Sequence, residues 1–299
     1  MIFNIDENEE DKRIDIYLAQ VLELARSRVQ DAIKAGEVTV NGKFVKPSYL
    51  LKENDSLNCN ISESNDIKIE PQNIPLEILW ENNDLLVVNK PSGILTHPTA
   101  NEKENTLVNA LLYKYGENLS DINGDFRRGI IHRLDRNTSG LLVVAKNNTA
   151  HEYIANLIKS RDITKKYRAI LKGKYPLDED IIDLPIDRCP GNPAKMAVVP
   201  GGKDSTTKLK VIERFKEATY VELTLVTGRT HQIRVHTSFK GFPVFNDTLY
   251  GAGMANVKTE EQVLQSYYLK FEYNSEIIEI EIEPDDKIEK VLRYLRGRQ

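Results

Sequence analysis

Cysteine is scarce in this chain of 299 residues, with only Cys59 and Cys189 present. They lie far apart and neither belongs to a CxxC pair, so neither a disulfide framework nor a cysteine-bound metal is expected. No stretch approaches eighteen uninterrupted apolar residues, which argues against a membrane-spanning helix. The opening Met-Ile-Phe-Asn-Ile-Asp-Glu-Asn-Glu-Glu is acidic, unlike a secretory leader. Internal repeats and low-complexity tracts are missing too, which sets aside solenoids and arrays. The expectation is a cytoplasmic protein with no membrane partner, long enough to bury a sizeable core in one large domain or two smaller ones.

A strongly basic balance is also missing, since the net charge is −4. Binding to nucleic acid neutralises phosphates with Lys and Arg, so the total argues weakly against it. The distribution argues the other way. Residues 126–168 hold ten Lys or Arg against Asp135, Glu152 and Asp162, while acids gather at Glu7–Asp11, Asp178–Asp183 and Glu276–Asp286. A local basic face on an acidic protein is compatible with RNA.

The first seventy residues read as self-contained. Ile14, Leu18, Val21 and Leu22 fall on one helical stripe, and Val29, Ala32 and Ile33 repeat it. Ser27 is placed to cap the second helix and Gly36 to end it. Glu37 to Val45 reads as a hairpin around Asn41-Gly42, a pair suited to a type I′ turn. With an apolar strand near Leu57–Ile61 this makes a small α+β module with a core at about 12–61, in which Arg28 and Lys43 are candidate RNA contacts. Ser62–Pro75, polar and punctuated by Pro71 and Pro75, is the expected linker, dividing the chain into 1–70 and 71–299.

Beyond it, Leu85–Asn89 and Leu141–Ala145 are continuous apolar runs, as buried strands are. Segments 166–172, 207–214, 220–226, 268–273 and 277–283 alternate as half-buried strands do. Helices fit 106–114, 149–161, 230–240 and 286–296, with Thr230 the expected cap of the third. Strands and helices do not alternate regularly. The expected class is therefore α+β, a mixed and largely antiparallel sheet with flanking helices, preceded by the small module.

Residues 129–146, Gly-Ile-Ile-His-Arg-Leu-Asp-Arg-Asn-Thr-Ser-Gly-Leu-Leu-Val-Val-Ala-Lys, set Asp135 between Arg133 and Arg136 in a Thr-Ser-Gly turn. A carboxylate between two guanidiniums is available as a nucleophile or as an ion-pair partner. Further strings stand out at Thr164-Lys-Lys-Tyr-Arg-Ala169, Gly228-Arg-Thr-His-Gln-Ile-Arg-Val-His236 and Val88-Asn-Lys-Pro-Ser-Gly-Ile-Leu-Thr-His-Pro98. In the last, Pro91 and Gly93 shape a turn, a conformational role. His231 and His236 point about 140° apart around a helix, and nothing completes a ligand set around His132, so no metal site is expected.

These four strings resemble the RluA/RluD-type RNA pseudouridine synthases. The first module resembles the small RNA-binding domain of the ribosomal "S-four" type through Arg13-Ile-Asp15, Ser27-Arg28, Ile33–Gly36, Val40–Lys43 and Asn54-Asp55; Ala25 stands where that family often has Ser. The resemblance implies that Asp135 is catalytic and that Arg234 holds and orients it. It further implies that Tyr167 stacks on the extracted uracil and handles the proton of carbon five through its hydroxyl, that Ile233 packs near the base, and that Arg133 enters the vacated space or contacts a phosphate. Arg136 and Lys165 join Arg133 as expected substrate contacts, and Lys165, Lys166 and Arg168 flank Tyr167 as an expected phosphate-facing edge. The reaction breaks the sugar-to-nitrogen bond of uridine, turns the base, rejoins it through carbon five and removes that carbon's proton, in principle without cofactor or metal.

Ribosomal RNA of the large subunit is the expected partner, with transfer RNA the alternative, and a monomer the expected state. A non-catalytic RNA-binding factor on the same scaffold is the rival reading, opposed by the joint presence of Asp135, Tyr167 and Arg234. A glycosidase-like hydrolase is opposed by the lack of a second flanking carboxylate. Where the family usually has Gly-His-Pro-Ile followed by Gly-Asp and Tyr-Gly, this chain reads Gly241-Phe-Pro-Val-Phe-Asn-Asp-Thr-Leu-Tyr-Gly251. The departures at Phe242 and Asn246, and another at Gln265–Tyr268, are expected to lie apart from the catalytic set, and they leave the subfamily unassigned.

Overall fold

Residues 1–22, 24, 26–61, 69–99, 101–192, 194–251 and 261–297 are described by the computed structural model. They divide into two units, Met1–Lys68 with Asn123–Asp125, and Ile69–Ile122 with Phe126–Gln299.

In the first unit β1 (Ile2–Asn4), α1 (Ile14–Val21), α2 (Arg26–Lys34), β2 (Val38–Val40), β3 (Lys43–Phe44) and β4 (Ser56–Cys59) follow in order. The strands form an antiparallel sheet in the order β1-β4-β2-β3. Ile14, Leu18, Val29 and Ile33 from the helices meet Val38, Val40 and Leu57 from the sheet in one core. Val21 shares the helical stripe by spacing, yet it is exposed at the last position of α1. Asn41 (φ 50°) and Gly42 (φ 74°) both take the left-handed backbone that a type I′ turn requires. Ser27 lies within α2 rather than before it, so it is not the residue that caps the helix, and Ala25 and residues 62–68 of the expected linker fall outside the described residues. Ile69, read as linker, is instead buried in the core of the second unit.

Two carboxylates stitch the first unit together. Asp15 is fully buried and accepts hydrogen bonds from Arg13, Arg26 and Gln30 at 2.6–3.1 Å. The Arg13 guanidinium foremost holds its carboxyl well below the usual range. Asp55 accepts from Asn41 Nδ2, Tyr49 Oη and the Lys52 amide.

The second unit runs β5 (Glu77–Glu81), β6 (Leu85–Lys90), α3 (Leu107–Tyr115), β7 (Ser139–Ala145), α4 (Asn148–Ser160), β8 (Thr164–Lys172), β9 (Glu179–Asp183), β10 (Ile186–Arg188) and β11 (Met196–Val198). It continues with β12 (Thr206–Arg214), β13 (Ala218–Leu225), α5 (Gln232–Phe239), β14 (Leu264–Tyr273), β15 (Glu276–Glu281) and α6 (Asp286–Arg296). The main sheet has the order β5-β6-β7-β14-β8-β13-β12-β9, with β15 paired to β14, and β10 and β11 form a separate hairpin. The β7–β14 pairing is parallel and the other pairs are antiparallel, giving the mixed, largely antiparallel α+β class.

The continuous apolar runs are explained by cover on both faces of the sheet. Leu86 and Val88 of β6 face Leu107, Val108 and Leu111 of α3, whereas Leu85 and Val87 face Ala150 and Ile154 of α4. Helix α6 closes a further patch with Ile288, Val291, Leu292 and Leu295, each contributing roughly 1.5–3 kcal/mol by burial. Where β7 meets β14, Gly140 (φ 114°) admits no side chain, since a Cβ there would sit 2.0 Å from the Ser266 carbonyl oxygen. That close crossing is what the glycine of the Thr-Ser-Gly turn is for. Among the described residues no helix is long and apolar enough to cross a membrane.

Candidate active site

Asp135 lies in the short loop between Leu134 and the start of β7, and that loop is pinned from several sides. Leu134 O accepts the Thr96 hydroxyl at 2.8 Å. Arg136 O accepts Lys90 Nζ at 3.0 Å and the Gly93 amide at 3.0 Å. Asn137 O accepts the Ser92 hydroxyl and Lys287 Nζ, both at 3.0 Å. Lys90, completely buried, spends its other protons on Pro91 O and Ile94 O, and burial pulls it down to about 7. The 88–98 loop therefore does more than turn: its lysine ties the turn to the backbone beside Asp135. Lys287 brings the first turn of α6 to the same task.

The Asp135 carboxylate opens on a cleft of about 450 Å³ whose lining includes His132, Arg133, Lys165, Tyr167, Ile233 and Arg234. Arg234 reaches Asp135 Oδ2 with Nη1 at 2.9 Å. Its other edge grips Asp247 in a two-point pair, Nε to Oδ2 at 2.7 Å and Nη2 to Oδ1 at 3.0 Å. Burial alone would lower the Arg234 guanidinium, but Asp247 and Asp135 outweigh it and raise it above its ordinary value. Asp135 Oδ1 faces His231 Nε2 at 3.8 Å, leaving that oxygen open to the cleft. The Tyr250 oxygen accepts the Met196 amide at 2.8 Å and sits 2.8 Å from His231 Nδ1. We assign the tyrosine proton to Nδ1, which leaves the imidazole proton on Nε2, toward Asp135. Burial holds His231 below its usual value, so it is neutral near pH 7.

Helix α5 carries Ile233 and Arg234, and its start differs from the sequence expectation. Thr230 does not cap it. The N-cap is His231, held at φ 57° with no side-chain cap bond, and Gln232 Oε1 instead accepts the Arg229 amide and the Thr227 hydroxyl. The left-handed turn swings the His231 ring toward Tyr250 and Asp135. Ile233 is buried and lines the cleft.

The flanking arginines also behave differently from expectation. Arg136 points away from Asp135 and pairs with Glu102 through both terminal nitrogens, at 2.9 and 2.5 Å, outside the cleft lining. Arg133 lines the cleft, is exposed, and makes no ion pair among the described residues. The ion pair of Asp135 is supplied from a distance of 99 positions along the chain, by Arg234.

Strand alternation divides β8. Lys165 and Tyr167 face the cleft, while Lys166 and Arg168 face the opposite side, so the basic string is not one phosphate-facing edge. There Lys166 pairs with Glu222, and the Arg168 guanidinium stacks over the Tyr267 ring at 3.8 Å. Tyr167 is buried, which pushes its hydroxyl up to about 12. It is a phenol at neutral pH, suited to stacking and poor as a proton acceptor. His132, pulled down to about 3 by burial, accepts the Val143 amide at 3.1 Å and is structural. In the first unit Lys43 is exposed on β3 and Arg28 is half-buried on α2. Among the described residues no three His, Cys, Asp or Glu side chains are grouped to hold a metal.

The 241–251 segment reaches the site through two residues that follow the family's pattern, Asp247 and Tyr250, rather than through Phe242. Asp247 braces Arg234, and the Tyr250 ring lies 5.0 Å under the same guanidinium. Asn246 stands where the resemblance calls for Gly because φ is 57°, a left-handed value that Asn tolerates best after Gly. The family's Gly-Asp pair was the signal for Asp247. His231 lies in the 228–236 string and Tyr250 beside Gly251 in the family's Tyr-Gly pair, but their contacts, like that of Lys287, join separate elements and carry no local signature.

The chain matches the model of the RNA pseudouridylate synthase family over residues 84–239 and that of the S4 domain over residues 12–57. It is 38% identical over 293 residues to "Uncharacterized RNA pseudouridine synthase YlyB" of Bacillus subtilis (strain 168), covering 97% of this chain and 96% of the relative. It is 42% identical over 259 residues to "Ribosomal large subunit pseudouridine synthase D" of Zymomonas mobilis subsp. mobilis, covering 85% and 80%. Among solved structures it is similar to "Human RNA Pseudouridylate Synthase Domain Containing 1", with a TM-score of 0.59, 27% identity, and coverage of 75% of this chain and 95% of that one.

Proposed function

The chain belongs to the RNA pseudouridylate synthase family, isomerases that convert uridine to pseudouridine, and from that premise we propose that it modifies uridines of large-subunit ribosomal RNA with Asp135 as nucleophile. The target is supported by the name of the Zymomonas relative. The nucleophile is supported by one observation above the others: Asp135 is held through Oδ2 by a buried arginine that is itself neutralised by Asp247, while Oδ1 is left toward the cleft.

In this reading residues 1–70 bind RNA and residues 71–299 carry the chemistry. The target base must leave its stack to reach the cleft. Arg133, exposed, planar and always charged, takes up the vacated space. The extruded uracil lies against Tyr167 and Ile233, which supply a flat, water-excluding wall. Asp135 attacks the sugar carbon as its bond to the base nitrogen breaks and uracil leaves as its anion. The base turns, and carbon five displaces the carboxylate from that carbon. The carbon-five proton passes to the freed Asp135 and on to water, while the base nitrogen takes one up. Arg234 keeps the carboxylate aligned throughout. His231, neutral and 3.8 Å from Oδ1, leaves the second oxygen free to react. None of these steps calls on a cofactor, and Arg28 and Lys43 serve the RNA beyond the target.

The test uses ribosomal and transfer RNA transcripts carrying tritium at carbon five of uracil. Release of tritium into water by the wild type from large-subunit ribosomal RNA, and none by Asp135→Asn, is the expected result. Release from transfer RNA alone would overturn the target, and release by Asp135→Asn would overturn the nucleophile.

A further inference from the structure

Lys165 stands apart from the other charged groups of the cleft. The residue is only 8% exposed, yet among the described residues its ammonium has neither a hydrogen-bond partner nor an ion pair. Lys90, the other lysine buried to this degree, satisfies its protons on three carbonyls. A desolvated cation without an anion is unfavourable in the free protein, so a merely structural account of Lys165 is missing.

Its surroundings point to what is absent. The alternation of β8 sets Lys165 on the face of Tyr167, and Nζ comes 3.6 Å from where a side chain on Gly228 would begin. The lack of a side chain at Gly228 keeps the space beside the ammonium open. The one carboxylate in the lining is Asp135, whose partners among the described residues are Arg234 and His231 and not Lys165. The lining otherwise carries Arg133, Lys159, Arg161 and Arg229, all exposed. Burial pulls Lys165 down only to about 8, so it still carries charge at neutral pH.

Resting on the reading of the cleft as an RNA site, we propose that Lys165 Nζ is the ligand for a phosphodiester oxygen of a linkage flanking the extruded uridine. The exposed cations remain hydrated and add affinity that salt screens. Lys165 is largely buried and meets water only at the cleft, so an anion arriving there meets a stronger attraction than at the exposed cations. Its contribution then belongs to placing the reacting nucleotide rather than to holding the RNA at large.

The experiment combines Lys165→Met with RNA fragments spanning the mapped uridine, each carrying one uncharged methylphosphonate, either 5′ or 3′ of that uridine. Met keeps the volume and removes the unpaired charge, so the variant is expected to melt at the wild-type temperature or above. Turnover is expected to fall about ten- to a hundredfold, the size of one charge-assisted hydrogen bond. At one of the two linkages the methylphosphonate should slow the wild type by a similar factor and leave Lys165→Met no slower than before. Additive losses at both linkages, a lowered melting temperature or unchanged turnover would each overturn the proposal. If the wild type makes no pseudouridine, the reaction reading has failed instead. The subsite is then judged by binding of the same fragments, where the methylphosphonate should weaken the wild type and spare Lys165→Met.

Discussion

Each of the two units holds an aspartate against arginine, and the pairs serve opposite ends. In the first unit Asp15 is wholly buried and both its oxygens are occupied, by Arg13, Arg26 and Gln30. In the second, Asp135 keeps 18% of its side chain exposed and is bound by Arg234 on one oxygen only. The guanidinium–carboxylate chemistry is common to both. What separates a staple from a nucleophile is the unoccupied oxygen and the cleft in front of it, together with a second carboxylate, Asp247, that leaves Arg234 little charge to spend on Asp135.

The contrast breaks most sharply if the two aspartates are exchanged for asparagine in turn. Asp135→Asn should lower turnover on the order of 10³-fold or more while leaving the melting temperature in place. Asp15→Asn should do the reverse, destabilising the first unit by about 3 kcal/mol, the low end for a broken buried pair because Arg13 and Arg26 reach water. The same pair makes a prediction in acid. The folded Asp15 titrates below its unfolded value, so its stabilisation is present above about pH 4 and is lost progressively as the pH falls below that. Circular dichroism of residues 1–70 against pH checks it, and an Asp15→Asn unit should show no such acid step.

Asp247 sharpens the comparison from behind. Asp247→Asn removes the buried counter-charge of Arg234, and we expect about 3–5 kcal/mol of destabilisation in urea. Turnover should fall with it, because Arg234 would then bind Asp135 more tightly and out of line. A variant that kept wild-type stability and rate would show that Asp247 is a bystander. The smallest effect belongs to Asn246, whose left-handed backbone suits Gly and penalises other residues. Asn246→Ala should cost about 1–2 kcal/mol in melting experiments, and Asn246→Gly should fall within about 1 kcal/mol of wild type.

Much of this was legible in the sequence where the signal is local. The apolar runs of β6 and β7, the Asn41-Gly42 turn and the stripe of α6 follow from periodicity and turn chemistry. Asp135, Tyr167 and Arg234 sit in contiguous strings that resemble a family and could be read residue by residue. Short or edge strands such as β1, β5, β9, β10 and β11 were not legible, because few residues and a polar face leave no periodic signal. Nor was the division of β8, where Lys166 and Arg168 read as companions of Lys165 until the pleat turned them away.

By itself the sequence determined which side chains could do chemistry and which segments would be strand, helix or turn, because those properties depend on neighbours a few positions apart. Only the tertiary structure decided the partners. It sent Arg136 to Glu102 and Arg234 to Asp135, bridged Arg234 to Asp247, brought Lys287 of the last helix to the carbonyl of Asn137, and left Lys165 buried with no partner among the described residues. Pairing between positions far apart in the chain is set by how the sheet's two faces are packed, and a charge gains its role from the dielectric and the counter-charge it meets there.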